Sequence, residues 1–181
     1  MSESSSITKR IVQNGMVAAV YYVITMILVM VPAISQFGPI QVRVSEMLML
    51  LAFFRPDFIS GLVIGCFMVN ATGAMMGLGF PMDMLFGTLA TAIAAVLTSY
   101  ASPKMFIAAL WSVVINGLIV GIEIYFFFNE GTSLSWWLCC AYVAAGEAIA
   151  MAIGYAIFMI LIRNKGVMNV LAPTHHKEVK Y

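Results

Sequence analysis

Long apolar stretches separated by short polar breaks run almost the whole length of this chain. A helix that crosses the hydrocarbon core of a bilayer needs about 20 apolar residues, and that measure divides the sequence into six segments. The first runs from Ile11 to Val31 and is ended by Pro32. The second, Val42 to Phe54, has only thirteen residues and stops at Arg55-Pro56, because a proline disfavours helix at the residue before it. The third extends from Phe58 to Met76 and gives way to the turn MMGLGFP; the fourth covers Met82 to Tyr100 and closes at Ser102-Pro103. The fifth spans Lys104 to Phe128 before the turn NEGTS, and the sixth spans Trp136 to Ile162 before a polar tail. The pattern predicts one six-helix domain over 11–163, with a short segment 1–10 before it and a tail 164–181 after it. Thirteen residues barely span a bilayer, so the second helix is expected to be tilted or partly interfacial.

Composition agrees with the pattern. With 62% hydrophobic and 9% charged residues and a mean hydropathy of +0.99, the chain lacks the polar residues to cover a water-soluble globule. It reads as an all-α, multi-pass membrane protein. The polar start MSESSSITKR meets the first apolar run without an evident small-residue cleavage site, so that run is retained as a membrane helix. A net charge of +1 without a concentrated basic block argues against nucleic-acid binding. Cys66, Cys139 and Cys140 lie in apolar runs and read as small hydrophobes.

The charges orient the bundle. Lys9 and Arg10 precede the first helix, Arg55 follows the second, Lys104 follows the fourth, and Arg163 and Lys165 follow the sixth, so all fall on one side. The positive-inside rule makes that side cytoplasmic, with both termini inside. Asp83, Asn129 and Glu130 fall on the opposite side, where Trp136 and Trp137 read as interface aromatics. Arg43 is the outward exception. Glu46 follows it at i+3, on the same helix face, so FGPIQVRVSE reads either as a pocket wall or as an ion pair anchoring a loop at the headgroups.

Buried carboxylates carry more information, because a charge in lipid is costly and such groups face protein or a water-filled cavity. Glu123 and Glu147 lie inside apolar spans, as do Asn70 and Asn116. The topology allows Glu46, Asn70, Glu123 and Glu147 to converge on an outward cavity; Glu123 is assigned to it, whereas Asn116 is read as an interhelical hydrogen bond. Gly15 and Ala19, with Ala18 beside them, form a small-xxx-small pair on the first helix, and Gly146, Ala150 and Gly154 repeat on the sixth. Such spacing lets another helix approach closely.

Signatures of enzymes are missing: there is no HExxH, no phosphate-binding Gly-rich loop with Lys-Ser/Thr and no GxSxG. His175 and His176, in the tail, read as solvated. Neither a cofactor nor a metal is expected on this chain. The six helices do not divide into two similar halves, which weakens a self-sufficient transporter built from repeats.

The block FGPIQVRVSEMLMLLAFFRPDFISGLVIGCFMVN, followed by PMDMLFGTLAT, resembles the QueT family of substrate-binding S-components of energy-coupling factor (ECF) importers, and the resemblance covers roughly residues 10–165. It implies a bacterial plasma-membrane subunit that captures a micronutrient outside and works with a transmembrane coupling subunit and two cytoplasmic ATPases, where ATP would be used. S-components commonly present an AxxxA-like surface on helix one to the coupling subunit; Gly15, Ala18 and Ala19 occupy the similar region, with glycine in place of the first alanine. The family's substrate region near the first outer loop corresponds to Gln41, Arg43 and Glu46. Asn70, Asp83 and Glu123 are added to the candidate site from topology. The family name implies a queuosine precursor, a small deazaguanine with a cationic aminomethyl group that Glu46 and Glu123 would suit. Similar proteins also include cobalamin (corrinoid) carriers, which would need a wide cavity with many amide contacts. Two other classes stand beside this reading: a stand-alone ion-coupled transporter or channel using Glu123 and Glu147, and a membrane-assembly subunit without a ligand.

Overall fold

Proline and glycine set the helix ends in the computed structural model, which describes residues 3–30, 42–128, 134–164, 166 and 171. The helices are α1 (Glu3–Val29), α2 (Leu50–Phe54), α3 (Ile59–Met75), α4 (Phe86–Tyr100), α5 (Met105–Phe128) and α6 (Trp136–Leu161). A 3₁₀ segment, Val44–Met49, leads into α2, and short 3₁₀ turns at Pro56–Phe58 and Pro81–Met84 lead into α3 and α4. Arg55, before Pro56, is extended (φ −144°, ψ 115°), as the proline requires. At the end of α3, Gly77 takes φ 69°, a left-handed conformation that costs glycine little. Its N–H bonds Ala74 O and that of Leu78 bonds Gly73 O, so two of the last carbonyls of α3 are satisfied. Pro32, Gln41, Asn129, Glu130, Lys165 and both histidines lie outside the described residues.

Among the described residues, α1, α5, α6 and, with the 3₁₀ turns that lead into them, α3 and α4 are long and apolar enough to cross a membrane, and Val44–Phe54 is a shorter apolar helix. That segment differs from the tilted or interfacial helix expected. Six 3₁₀ residues and five α residues rise only about 20 Å, against about 30 Å of hydrocarbon. None of Val42–Phe54 is exposed. The segment is short because its start is recessed inside the bundle, which carries Arg43 and Glu46 into the interior (6% and 1% exposed) and away from the headgroups.

The bundle is apolar outside and polar in part inside. Ile11, Met16, Val23, Ile27, Leu89, Phe106, Leu118, Ile149 and Ile160 are exposed, as expected of a lipid-facing surface. Close helix contacts depend on glycine. A Cβ on Gly121 would meet Cys140 Cα at 2.5 Å and one on Gly117 would meet Ala144 Cβ at 2.9 Å, so α5 and α6 touch along that face. On α6, Gly146, Ala150 and Gly154 are buried, and a Cβ on Gly154 would lie 2.6 Å from Met47 Cβ, on the recessed segment.

Basic side chains gather at one end. Arg55 Nη2 donates to Gln13 Oε1 (3.1 Å) and meets Asp57 Oδ2 (3.2 Å), and its guanidinium lies 4.6 Å from the centre of the Phe58 ring. Arg10 lies 3.7 Å from the same Asp57. Asn14 of α1 accepts from Gly61 N (2.9 Å) and Ser60 Oγ (3.0 Å), so a side chain from one helix caps the first turn of another. Above this end, Phe53, Phe54, Phe58, Met105 and Phe158 form an apolar core, with the Phe54 and Phe158 rings stacked at 5.7 Å.

Candidate functional site

On the far side of that core the interior becomes polar. Tyr21 and Thr25 stand one turn apart on the inner face of α1, and both are fully buried. The Tyr21 hydroxyl donates to Glu46 Oε1, and Thr25 Oγ1 lies 2.6 Å from Ser45 Oγ. These contacts hold the recessed segment against α1. From α4, Thr91 Oγ1 lies 3.4 Å from Glu46 Oε1 and 3.2 Å from Cys66 Sγ. Glu46 Oε1 is therefore occupied by protein, whereas Glu46 Oε2 is buried without a partner.

Cys66 and Asn70, one turn apart on α3, form the next layer. Asn70 Nδ2 donates to Asp83 O (2.9 Å) and lies 3.4 Å from Cys66 Sγ, and Arg43 Nη1 approaches the same sulfur at 4.0 Å. Gly87 makes this possible. A Cβ there would meet Asn70 Nδ2 at 2.9 Å and stand 3.7 Å from Arg43 Nη1. Cys66 is a free, buried thiol within the apolar core, as read from the sequence, and its sulfur also meets these polar groups.

The remaining carboxyls come from α4's entry turn, α5 and α6. Asp83 Oδ2 accepts from Phe80 N (3.4 Å), and Glu123 faces Asp83 within reach of Arg43. Asp83 Oδ1 and both Glu123 oxygens are buried without a hydrogen-bond partner. Glu147 Oε1 accepts from Asn116 Nδ2 at 3.3 Å. Arg43, Glu46, Asn116, Val120, Val143 and Glu147 enclose a cavity of about 10 Å³, room for about one water molecule. On α5, Asn116, Val120 and Glu123 share this inner face, spaced by one helical turn.

Of the six side chains expected at a substrate site, the fold brings Arg43, Glu46, Asn70, Asp83 and Glu123 together, while Gln41 lies outside the described residues. Asn116 and Glu147 belong to the same cluster, so Asn116 lines the cavity as well as bonding between helices. Sequence reasoning missed Tyr21, Cys66 and Thr91. Their signal was spacing: Tyr21 to Thr25, Cys66 to Asn70 and Gly87 to Thr91 are i, i+4 pairs that place polar groups on one helix face. On α1, Gly15 and Ala19 are exposed, whereas Ala18 is buried, its carbonyl close to Gly65 of α3. Ala18 therefore packs within the bundle and leaves the outward-facing small pair. Among the described residues no three His, Cys, Asp or Glu side chains are placed to hold a metal ion.

The sequence profile of the family described as QueT transporter matches residues 11–163. The chain belongs to the QueT transporter family. It is also 45% identical over 65 residues to a protein named queuosine precursor transporter QueT from Lactococcus lactis subsp. cremoris (strain MG1363). That match covers 35% of this chain and 36% of the relative, so the chain matches about a third of the relative's length. No solved structure matches. The corrinoid alternative finds no support in these relatives. With five membrane-length apolar helices among the described residues and a QueT profile, the chain is a multi-pass plasma-membrane protein of that transporter family.

Proposed function

We propose that this chain is the substrate-capturing S-component of an ECF importer and that its ligand is a queuosine precursor, a deazaguanine bearing an amine. The observation that carries the reading is the buried cluster of four carboxyls, Glu46, Asp83, Glu123 and Glu147, around the single guanidinium of Arg43, at the end of the bundle opposite the basic side chains. Lipid gives nothing to such groups, and a small heterocycle rich in N–H donors does. Partner chains supply the energy: a transmembrane coupling subunit and two ATPases. Both termini and the basic end lie in the cytoplasm, as the grouping of Arg10, Arg55, Lys104 and Arg163 supports, and the polar cluster opens outward. The cavity holds about one water, so capture requires the recessed segment to part from its neighbours.

Coupling runs through the outward face of α1. Gly15 is exposed, and a Cβ there would meet nothing within 4 Å, so bulk added at that position is accommodated by the subunit alone. Gly15→Trp and Ala19→Trp are expected to leave ligand affinity within about 3-fold of wild type while abolishing co-purification with the ATPase module, because close helix approach needs small residues. Co-purification of both variants at wild-type yield would remove the coupling surface from α1.

A further inference from the structure

Glu123 differs from the other acids of the cluster in that neither of its oxygens has a hydrogen-bond partner, whereas Asp83, which it faces, and Glu46 each keep one oxygen without a partner. Glu46 Oε1 is taken by Tyr21 and Thr91, and Glu147 Oε1 by Asn116. Glu123 has two unpartnered oxygens and Asp83 one, although the two side chains are only 2% and 1% exposed. Three acceptor oxygens of two facing carboxyls, close enough to share a proton, thus lie buried without an N–H or hydroxyl donor from another described residue. A primary ammonium has three N–H donors and one positive charge, which matches three oxygens and relieves the repulsion of two neighbouring carboxylates. Glu123 stands one turn beyond Val120, a cavity-lining residue, on the face of α5 that also carries Asn116.

We infer that Asp83 and Glu123 form a charge-selecting pair that accepts the ammonium of the ligand, so that the site takes cationic aminomethyl heterocycles and rejects neutral isosteres. This rests on the function proposed above and narrows it. It also changes the assignment read from the sequence, in which Glu46 shared the ammonium with Glu123: Glu46 holds the recessed segment to α1 and α4. Rejection follows from the same geometry. A nitrile at the position of the aminomethyl group presents an acceptor to three acceptor oxygens, leaving buried polar groups unpaired on both sides.

Calorimetry on the purified full-length chain in lipid nanodiscs, with 7-aminomethyl-7-deazaguanine and 7-cyano-7-deazaguanine as probes, tests the pair. The wild type is expected to bind the aminomethyl probe about 10- to 150-fold more tightly than the cyano probe, the range of a charge-assisted hydrogen bond. Glu123→Gln and Asp83→Asn are each expected to lose most of that preference, because the aminomethyl probe loses a carboxylate partner while the cyano probe gains an amide N–H donor and binds at least as tightly as to the wild type. Retained cyano binding shows that a variant is folded; for a variant that binds neither probe, Glu123→Asp is the second arm and is expected to restore the preference in part. Equal affinity of the wild type for the two probes overturns the charge-selecting pair and leaves the proposed function standing. An equal loss of both probes in Gln and Asn variants whose thermal denaturation midpoint matches the wild type overturns it as well. Binding of neither probe by the wild type overturns the proposed function and the pair together.

Discussion

At the scale of the residue, Tyr21 shows how the candidate site is held in shape. Its hydroxyl reaches Glu46 across two segments that share little else polar apart from Thr25 and Ser45. Removing one partner from a buried pair leaves the other unsatisfied, so Tyr21→Phe leaves Glu46 with Thr91 alone. The expected cost is about 1 kcal/mol, in keeping with hydrogen bonds between membrane helices, seen as a lower midpoint in thermal denaturation of the purified chain. Ligand affinity falls as well, because the recessed segment loses its tie to α1. A variant with unchanged stability and affinity would show that the contact does not hold the site. This residue scale is also where the sequence was least legible. Glu123 and Glu147 stood out because a carboxylate in an apolar run is costly. Tyr21, Thr91 and Cys66 did not, because tyrosine, threonine and cysteine are ordinary members of membrane interiors, and only their three-dimensional neighbours distinguish them.

At the scale of the element, the recessed segment Val44–Phe54 is the feature on which the site depends. Its length could be counted in the sequence, but not its depth, since thirteen apolar residues fit a tilted interfacial helix as well as a buried one. Depth is set by packing: Gly154 of α6 lets Met47 approach, and Tyr21 and Thr25 of α1 bind the other side. Gly154→Leu places a side chain where Met47 Cβ would stand 2.6 Å from the new Cβ. Overpacking of this kind costs about 1–3 kcal/mol, and it is expected to push the segment away from α6 and weaken ligand binding by more than 10-fold. Ala148→Leu, on a lateral groove of α5 and α6, is the matched control and leaves binding unchanged. Equal effects from the two substitutions would contradict the role given to Gly154. The helix ends, by contrast, followed from Pro56, Gly77 and Pro81, whose backbone requirements are local and so can be read along the chain.

At the scale of the whole molecule, the bundle separates two tasks along its length. One end gathers Arg10, Arg55 and Asp57 with Asn14 clamping α1 to α3; the other encloses the acidic cluster around Arg43. The division was legible in outline because charge placement follows the membrane, while the closure of the cluster was not, since it depends on how far α2 is recessed. On the function proposed above, this chain is expected to bind its ligand by itself and to need partners only to move it. The most direct measurement is equilibrium binding of radiolabelled 7-aminomethyl-7-deazaguanine to the purified chain in nanodiscs, without partner subunits or ATP. Saturable binding near one ligand per chain, competed by unlabelled ligand, is the predicted result. No saturable binding by the folded chain would contradict the account.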